Sequence, residues 1–175
     1  YYKQLNLLTA KPILYGLNVE EEAAASGNQV SQAMVNWAEA QGAEAVTISA
    51  AIESEIAQLE EDEKKDFLET LGLHRSGLDQ VIHKGYQLLD LITYFTVGPK
   101  EARAWTVRQK TKAPQAAGVI HTDFERGFIC AETVSYEDYI AYKGEQGAKE
   151  AGKSRLEGKE YIVKDGDVMH FRFNV

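Results

Sequence analysis

Two stretches of the chain carry residue types that could handle a nucleotide. The first, "GAKEAGKS" at Gly147–Ser154, fits the phosphate-loop pattern G-x-x-x-x-G-K-[ST] at every position. Such a loop works between a buried strand and a helix, where backbone N–H groups and the helix N-terminus face the phosphates. Neither flank suits that role. "SYEDYIAYKGEQ" before it is polar, with Tyr136, Tyr139, Ile140 and Lys143 at helix-like spacing, and "RLEGKEYIV" after it heads into a strand interrupted by Gly158. The middle residues Ala-Lys-Glu-Ala favour helix, and Glu150 would put a carboxylate where phosphates belong. Only 21 residues follow Ser154, too few for the magnesium-binding and switch strands such an enzyme needs downstream. The match is therefore read as chance, with Lys149, Lys153 and Arg155 on a solvated basic face.

The second stretch is Asn18-Val19-Glu20-Glu21, which directly follows an apolar run. Ligands of open α/β sheets bind outside the carboxyl ends of strands. An Asn and a carboxylate there can hydrogen-bond the edge of a flat base, and the residue between can pack on its face. A second apolar run ends in Ser49-Ala50-Ala51, whose small side chains let backbone N–H groups come close to a ligand. Two such strand ends would form two sides of one base pocket. The alternative is a helix cap: Asn18 caps, and Glu20 and Glu21 sit favourably in a first turn.

These residues need elements to hold them. "KPILYGLNV" (11–19) and "AEAVTISAA" (43–51) read as short buried strands, and "NQVSQAMVNWAEAQG" between them as a helix stopped by Gly42. "IESEIAQLEEDEKKDFLETLG" reads as a charged helix broken near 59–62 and closed by Gly72. "SGLDQVIHKGYQLLDLI" is an amphipathic helix with Ser76 as its cap. Strand and helix alternate as in a parallel α/β sheet, with two strands too few for a whole one. After residue 90 come short β-rich runs: "LITYFTVG", "ARAWTVRQ", "GFICAETV", "KEYIVKD" and "DVMHFRFNV". Asp165-Gly166 sits between the last two as a hairpin signal. The expected fold is an α/β unit over 1–89, followed by a small α+β unit over 90–175 with a mixed sheet around one helix, as in the β-grasp.

Charge follows the same division. Residues 1–90 hold six Lys/Arg and fifteen Asp/Glu, whereas 91–175 hold thirteen and twelve. The acidic half is a poor surface for nucleic acid, and the second half is permissive. Within it, Arg103, Arg108, Lys110 and Lys112 surround Trp105 and Val107. On the predicted strand, with its period of two, Arg108, Lys110 and Lys112 share one face beside aromatics, as in RNA-binding surfaces; the alternative is a plain solvated strand face with Trp105 in the core. Cys130 is the single cysteine, which excludes an intrachain disulfide and reads as a small strand residue. No apolar run is long enough to span a membrane, and "YYKQLNLLTAKPILY" lacks a secretion signal, so the expected setting is cytoplasmic. His74, His83, His121 and His170 form no metal-ligand pattern; in "HTDFE", Thr122 or Asp123 reads as a helix cap.

The pair of base-facing stretches resembles the fourth and fifth base-recognition motifs of the TRAFAC GTPases, with Asn18–Glu21 in the Asn-x-x-Glu form found in the Obg-like ATPases of the YchF type. "LNLLTAKPILYGLNV", "ISAAIESEIAQL", the stretch from Ser76 to Val134 and the ending "EGKEYIVKDGDVMHFRFNV" are also similar to that family. The resemblance covers essentially the whole chain. It implies a partial P-loop NTPase sheet in 1–89 and a TGS domain, a ubiquitin-like β-grasp, in 90–175. It implies that Asn18 and Glu21 read the base edge, that Val19 packs on the base, and that Ser49, Ala50 and Ala51 lend it backbone groups. Guanine offers two adjacent donors to a well-placed Asp; the longer Glu21 alters that reach, in keeping with the family's leaning to ATP.

Intact members begin with a phosphate loop, switch segments and a helical insertion. None of these is in this sequence, and Tyr1 to about Leu8 would be the chain returning from that insertion. The expectation is a portion of an ATP (or GTP) hydrolase that uses magnesium and associates with ribosomes. This portion should have no catalytic or metal-binding residues of its own and no tight nucleotide. The alternative is a non-catalytic TGS-containing adaptor for RNA or protein.

Overall fold

The structure is a computed structural model that describes residues 2–174. It contains two compact units that divide between Leu89 and Asp90. Tyr1 and Val175, at the ends of the two quoted terminal strings, lie outside the described residues.

The first unit opens with two short 3-10 turns, Tyr2–Leu5 and Leu8–Ala10. Strand β1 (Leu14–Asn18) then pairs in parallel with β2 (Glu44–Ile48), so that Asn18 lies opposite Ile48. Helix α1 (Gln29–Ala40) is the crossover that a parallel pair requires. Its start is fixed locally: Asn28 Oδ1 accepts from Ser31 N–H at 2.9 Å, and Ser31 Oγ accepts from Asn28 N–H at 2.8 Å. Gly42, at φ +69°, ends it in the left-handed conformation that glycine adopts without strain. The charged stretch breaks as expected into α2 (Ala50–Ile56) and α3 (Glu61–Thr70). In α4 (Gly77–Leu88), Ser76 Oγ caps by accepting from Asp79 N–H at 3.0 Å.

Glu53 of α2 ties α4 down, accepting from the N–H groups of Gly77 at 2.6 Å and Leu78 at 3.1 Å. A methyl group on Gly77 would stand 2.8 Å from Ile48 Cγ2 and 2.9 Å from Glu53 Oε1. Gly77→Ala should therefore destabilise this unit by about 2 kcal/mol through overpacking. Trp37 reports on it: the chemical-denaturation midpoint followed by its fluorescence in a Trp105→Phe background should fall.

The core of this unit is small: Val19, Ala23, Ala38, Val46, Ile52 and Ile56. Amphipathic helix α4 buries only Gly77 fully, and Leu78 and Ile82 on it are half-exposed or more, as are Val30 and Trp37 on α1. Scattered exposed apolar residues are ordinary, but here they lie on both helices that pack against β2.

The second unit holds a five-stranded mixed sheet: β3 (Leu91–Val97), β4 (Ala102–Arg108), β5 (Phe128–Ser135), β6 (Arg155–Glu157) and β7 (Asp167–Phe173), in the order β4-β3-β7-β5-β6. β3 and β7 run parallel; the other neighbours are antiparallel. Helix α5 (Ala113–Ile120) lies against one face. Its Ala113, Ala116 and Ala117 bring the backbone close to Ile92, Tyr94, Val107, Met169 and Phe171. Tyr94 is fully buried and its hydroxyl donates to the Ala116 carbonyl at 2.8 Å, which satisfies the one polar atom the ring carries inward. Short helices α6 (Thr122–Arg126), α7 (Tyr136–Ala141) and α8 (Glu145–Glu150) complete the unit.

Three expectations need correction here. "KEYIVKD" forms no strand, only an isolated bridge between Ile162 and Lys112; β6 lies earlier, at Arg155–Glu157. Asp165-Gly166 is a real turn, with Gly166 at φ +78°, but it closes no hairpin, because β6 and β7 both pair with β5 and not with each other. The turn is used differently: Asp165 Oδ1 accepts from Thr93 N–H at 2.8 Å and Gly166 N–H donates to the Thr93 carbonyl at 2.8 Å, binding the entry of β7 to β3. The helix after His121 is capped by His121 itself, whose Nδ1 accepts from Asp123 N–H at 3.2 Å, rather than by Thr122 or Asp123.

A buried polar group anchors the same region. Asp167, almost fully buried, accepts from Tyr161 Oη at 2.7 Å and from Lys164 N–H at 2.9 Å, with Arg155 at 3.5 Å. Burial, and then the bond to Asp167, push the Tyr161 phenol up to about 12. A raised phenol stabilises the fold fully below its unfolded value near ~10, and that stabilisation is lost as pH climbs through the folded value. The stability advantage of the native chain over Tyr161→Phe should thus shrink by about 1 kcal/mol between about pH 9 and pH 11.5, allowing for solvent screening. Denaturation midpoints across that range measure it.

Candidate base-recognition site

The two base-facing stretches meet. Val19 N–H donates to the Ile48 carbonyl at 2.9 Å, so the ladder continues one residue past β1 and aligns the two strand tips. Asn18 Oδ1 accepts from the N–H of Ala50, the first residue of α2, at 2.9 Å. A backbone N–H can meet only the amide oxygen, so the Asn18 side-chain NH2 is directed away from it, free to donate. Asn18 does act as a cap, but of α2, 32 residues on, rather than of the turn that follows it.

The neighbouring carboxylates divide their work. Glu20 accepts from Asn28 Nδ2 at 3.1 Å through both oxygens, joining the loop to the start of α1. Its own backbone N–H, then Asn28, hold that carboxyl below the usual range. Glu21 opens a 3-10 turn, Glu21–Ala23, with its side chain exposed and without hydrogen bond or ion pair among the described residues. Glu21, not Glu20, is the carboxylate available to an incoming group. Sequence reasoning missed the Glu20–Asn28 clamp; its only trace was an Asn placed just before a helical pattern.

Val19 is 7% exposed, its side chain turned into the core. In this arrangement it is a buried wedge that sets Asn18 on one side and Glu20 on the other, and it presents no open stacking face. Ser49 is 3% exposed, and its hydroxyl has no hydrogen-bond partner among the described residues. An unpartnered buried hydroxyl is expensive and rare, and it stands between two tips that face solvent. Ala50 and Ala51 are exposed, and the first-turn N–H of Ala51 has no intrahelical acceptor. The site therefore offers amide donors, one free carboxylate and small-residue backbone, suited to the edge of a heterocycle. It has no cluster of cations for a triphosphate.

The phosphate-loop string lies in the other unit and folds otherwise. Gly147–Glu150 are the end of α8, Lys153 N–H donates to the Ala148 carbonyl at 2.8 Å in a helix-closing turn with Gly152 at φ +70°, and β6 starts at Arg155. The basic residues there pair with acids: Lys149 with Glu132 at 3.9 Å, Lys153 with Asp138 at 3.6 Å, Arg155 with Glu157 at 3.1 Å. They form a paired rather than a free basic face.

The four basic residues around Trp105 do not share one surface. Arg103 stacks over the Trp105 ring, 4.2 Å from its centroid, while Trp105 Nε1 donates to Thr96 Oγ1 at 2.8 Å. Arg108 ends β4 on the opposite face of the sheet. Lys110, at φ +67°, lies in the turn beyond, and Lys112 precedes α5, paired with Glu160 at 2.6 Å. The expected strand face continuing from Arg108 through Lys112 is thus corrected: the strand stops before Lys110.

The chain is similar to known proteins along nearly its whole length. Residues 91–174 match the family described as "YchF-GTPase_C: Protein of unknown function (DUF933)". The chain is 60% identical over 175 residues to the "Ribosome-binding ATPase YchF" of Bacillus subtilis (strain 168), covering 99% of this chain and 48% of that protein. Along nearly its whole length the chain is similar to proteins of the YchF family. The Escherichia coli O157:H7 protein of the same description is 54% identical over 173 residues, covering 99% of this chain and 47% of that one. The solved "Structure of the Schizosaccharomyces pombe YchF GTPase" superimposes with a TM-score of 0.83 at 39% identity, over 98% of this chain and 46% of that chain. The chain thus spans about half the length of the YchF relatives it matches. No helix among the described residues is long and apolar enough to cross a membrane.

Proposed function

We propose that the chain is the carboxyl-terminal portion of a YchF-type ATPase: the base-reading end of its nucleotide domain, followed by a TGS domain. The observation that carries this reading is the 2.9 Å bond from Ala50 N–H to Asn18, which joins the two base motifs into one wall. Asn18 and Glu21 meet the base edge, Ser49 and Ala51 supply further polar groups, and Val19 fixes the loop from beneath. Magnesium and phosphate contacts belong to the preceding portion, which completes the sheet beyond β1 and covers the apolar residues left on α1 and α4. The strand order of the second unit, counted from its own first strand, is 2-1-5-3-4 with the first and last strands parallel, which supports the β-grasp reading. The relatives' name, ribosome-binding ATPase, supports a role at the ribosome, which in this reading is that of a regulatory switch in the cytoplasm.

Phosphate contacts supply much of a nucleotide's affinity, so these 175 residues should bind ATP with magnesium no more tightly than about millimolar. Isothermal titration measures this, and micromolar binding would overturn the reading. The adaptor reading rests on Arg103 and Trp105, a cation stacked on an aromatic, with Arg108 on the other face. Pelleting with ribosomes at two salt concentrations separates the two readings. Salt-sensitive binding by this chain alone, weakened about ten-fold by Arg103→Ala, favours the adaptor.

A further inference from the structure

A groove of about 460 Å3 runs along β2 and includes no residue of β1. It is lined by Ala45, Val46 and Thr47 of β2, by the loop before α1 with Ser31, Gln32 and Val35 of α1, and by residues 72–75 with Gln80 and Lys84 of α4. The backbone of β2 is open there. The Ile48 carbonyl faces β1, where it accepts from Val19 N–H. Residues along a strand turn their hydrogen-bonding groups to alternate sides, so Val46 also faces β1 and Ala45 and Thr47 face away. No strand among the described residues pairs with that edge. Ala45 and Thr47 thus each present one N–H and one C=O, two residues apart, the spacing at which an added strand bonds.

The charge of the groove runs against its surroundings. Residues 1–90 carry fifteen acidic and six basic side chains, yet the lining contains Arg75, Lys84 and His74 and no Asp or Glu. Lys84 is held by Glu44 at 2.6 Å. Arg75 is exposed, and its guanidinium has no hydrogen bond or ion pair among the described residues. A small anion would meet the two backbone carbonyls of Ala45 and Thr47 as well as their N–H groups. A peptide main chain satisfies both.

We infer that the outer edge of β2 docks an extended acidic segment of a protein partner. Its main chain pairs with Ala45 and Thr47, and its carboxylates meet Arg75 and His74. Exposed parallel-sheet edges invite such pairing, and the unpaired cation at the rim selects an acidic strand over a neutral or basic one.

The test is fluorescence anisotropy with a fluorescein-labelled (Glu-Val)3 hexapeptide titrated into the 175-residue chain. Saturable binding is expected, weakened by salt and about ten-fold by Arg75→Glu, a change at an exposed loop position that leaves the fold intact by circular dichroism. The same peptide N-methylated at alternate residues should not bind, and Thr47 N–H should exchange more slowly with the unmethylated peptide bound. Absence of saturation, equal binding by Arg75→Glu, or unchanged Thr47 exchange would overturn the inference. So would equal binding of the methylated peptide, or displacement by equimolar inorganic phosphate, which would reveal a site for charge alone.

Discussion

Asn18→Asp in the whole protein should leave the fold of the first unit unchanged while nucleotide affinity falls about 10- to 100-fold, the worth of one to two hydrogen bonds. The substitution separates two roles that one side chain combines. Asp keeps an oxygen where Ala50 N–H needs it, 2.9 Å away, and a carboxylate close to the start of α2 is electrostatically favourable. What it removes is the NH2 group, the donor proposed to meet the base edge. It also brings a second negative charge near the exposed carboxylate of Glu21. Asn18→Ala removes both roles, and should add about 1 kcal/mol of instability to the same loss of affinity. Titration with ATP and magnesium, beside denaturation followed by Trp37 fluorescence, distinguishes the variants. If Asn18→Asp bound ATP as tightly as the unaltered protein, the base-reading role of this wall would be refuted.

The second large effect is expected in the other unit. Gly147→Ala should destabilise that unit by about 3 kcal/mol, the upper end of overpacking costs. A methyl group at 147 would run into the backbone carbonyl of Tyr142, just past the end of α7, and would stand 3.4 Å from Tyr142 Cβ. A flexible side chain could move aside, but a carbonyl fixed between α7 and α8 cannot. Trp105 fluorescence in a Trp37→Phe background follows the loss, and nucleotide affinity of the whole protein at a permissive temperature should not change. Lys153→Ala, whose ion pair with Asp138 at 3.6 Å is partly exposed, should alter stability by less than about 0.5 kcal/mol and nucleotide affinity not at all. A Gly147→Ala chain that folded as stably as before but lost ATP would restore the phosphate-loop reading of this string.

Some of this architecture was legible because local signals governed it. Ser76 and Gly42 bound helices through hydrogen bonds and dihedral angles that depend on a few neighbouring residues. The alternation that buries Ile92, Tyr94 and Val107 follows from the two-residue period of a strand. The phosphate-loop string is discounted by its polar flanks, its helix-forming middle and the 21 residues left after Ser154.

What the sequence could not supply were partnerships between distant residues. "KEYIVKD" has the composition of a strand, yet its edge partner was taken by Arg155–Glu157; composition does not say which of two β-prone segments reaches a sheet first. Asp165-Gly166 has hairpin chemistry, but the residues just before it form no strand, and β6 and β7 lie on opposite sides of β5. Which of Glu20 and Glu21 stays free depended on Asn28, eight residues away, and the double role of Asn18 on Ala50 across the two strand tips. By itself the sequence determined helix ends, strand faces and the two motifs, since these rest on short-range sterics and hydrogen bonds. The tertiary structure alone decided strand order, the burial of Val19 and the open edge of β2, because each is settled by competition among segments far apart in the chain.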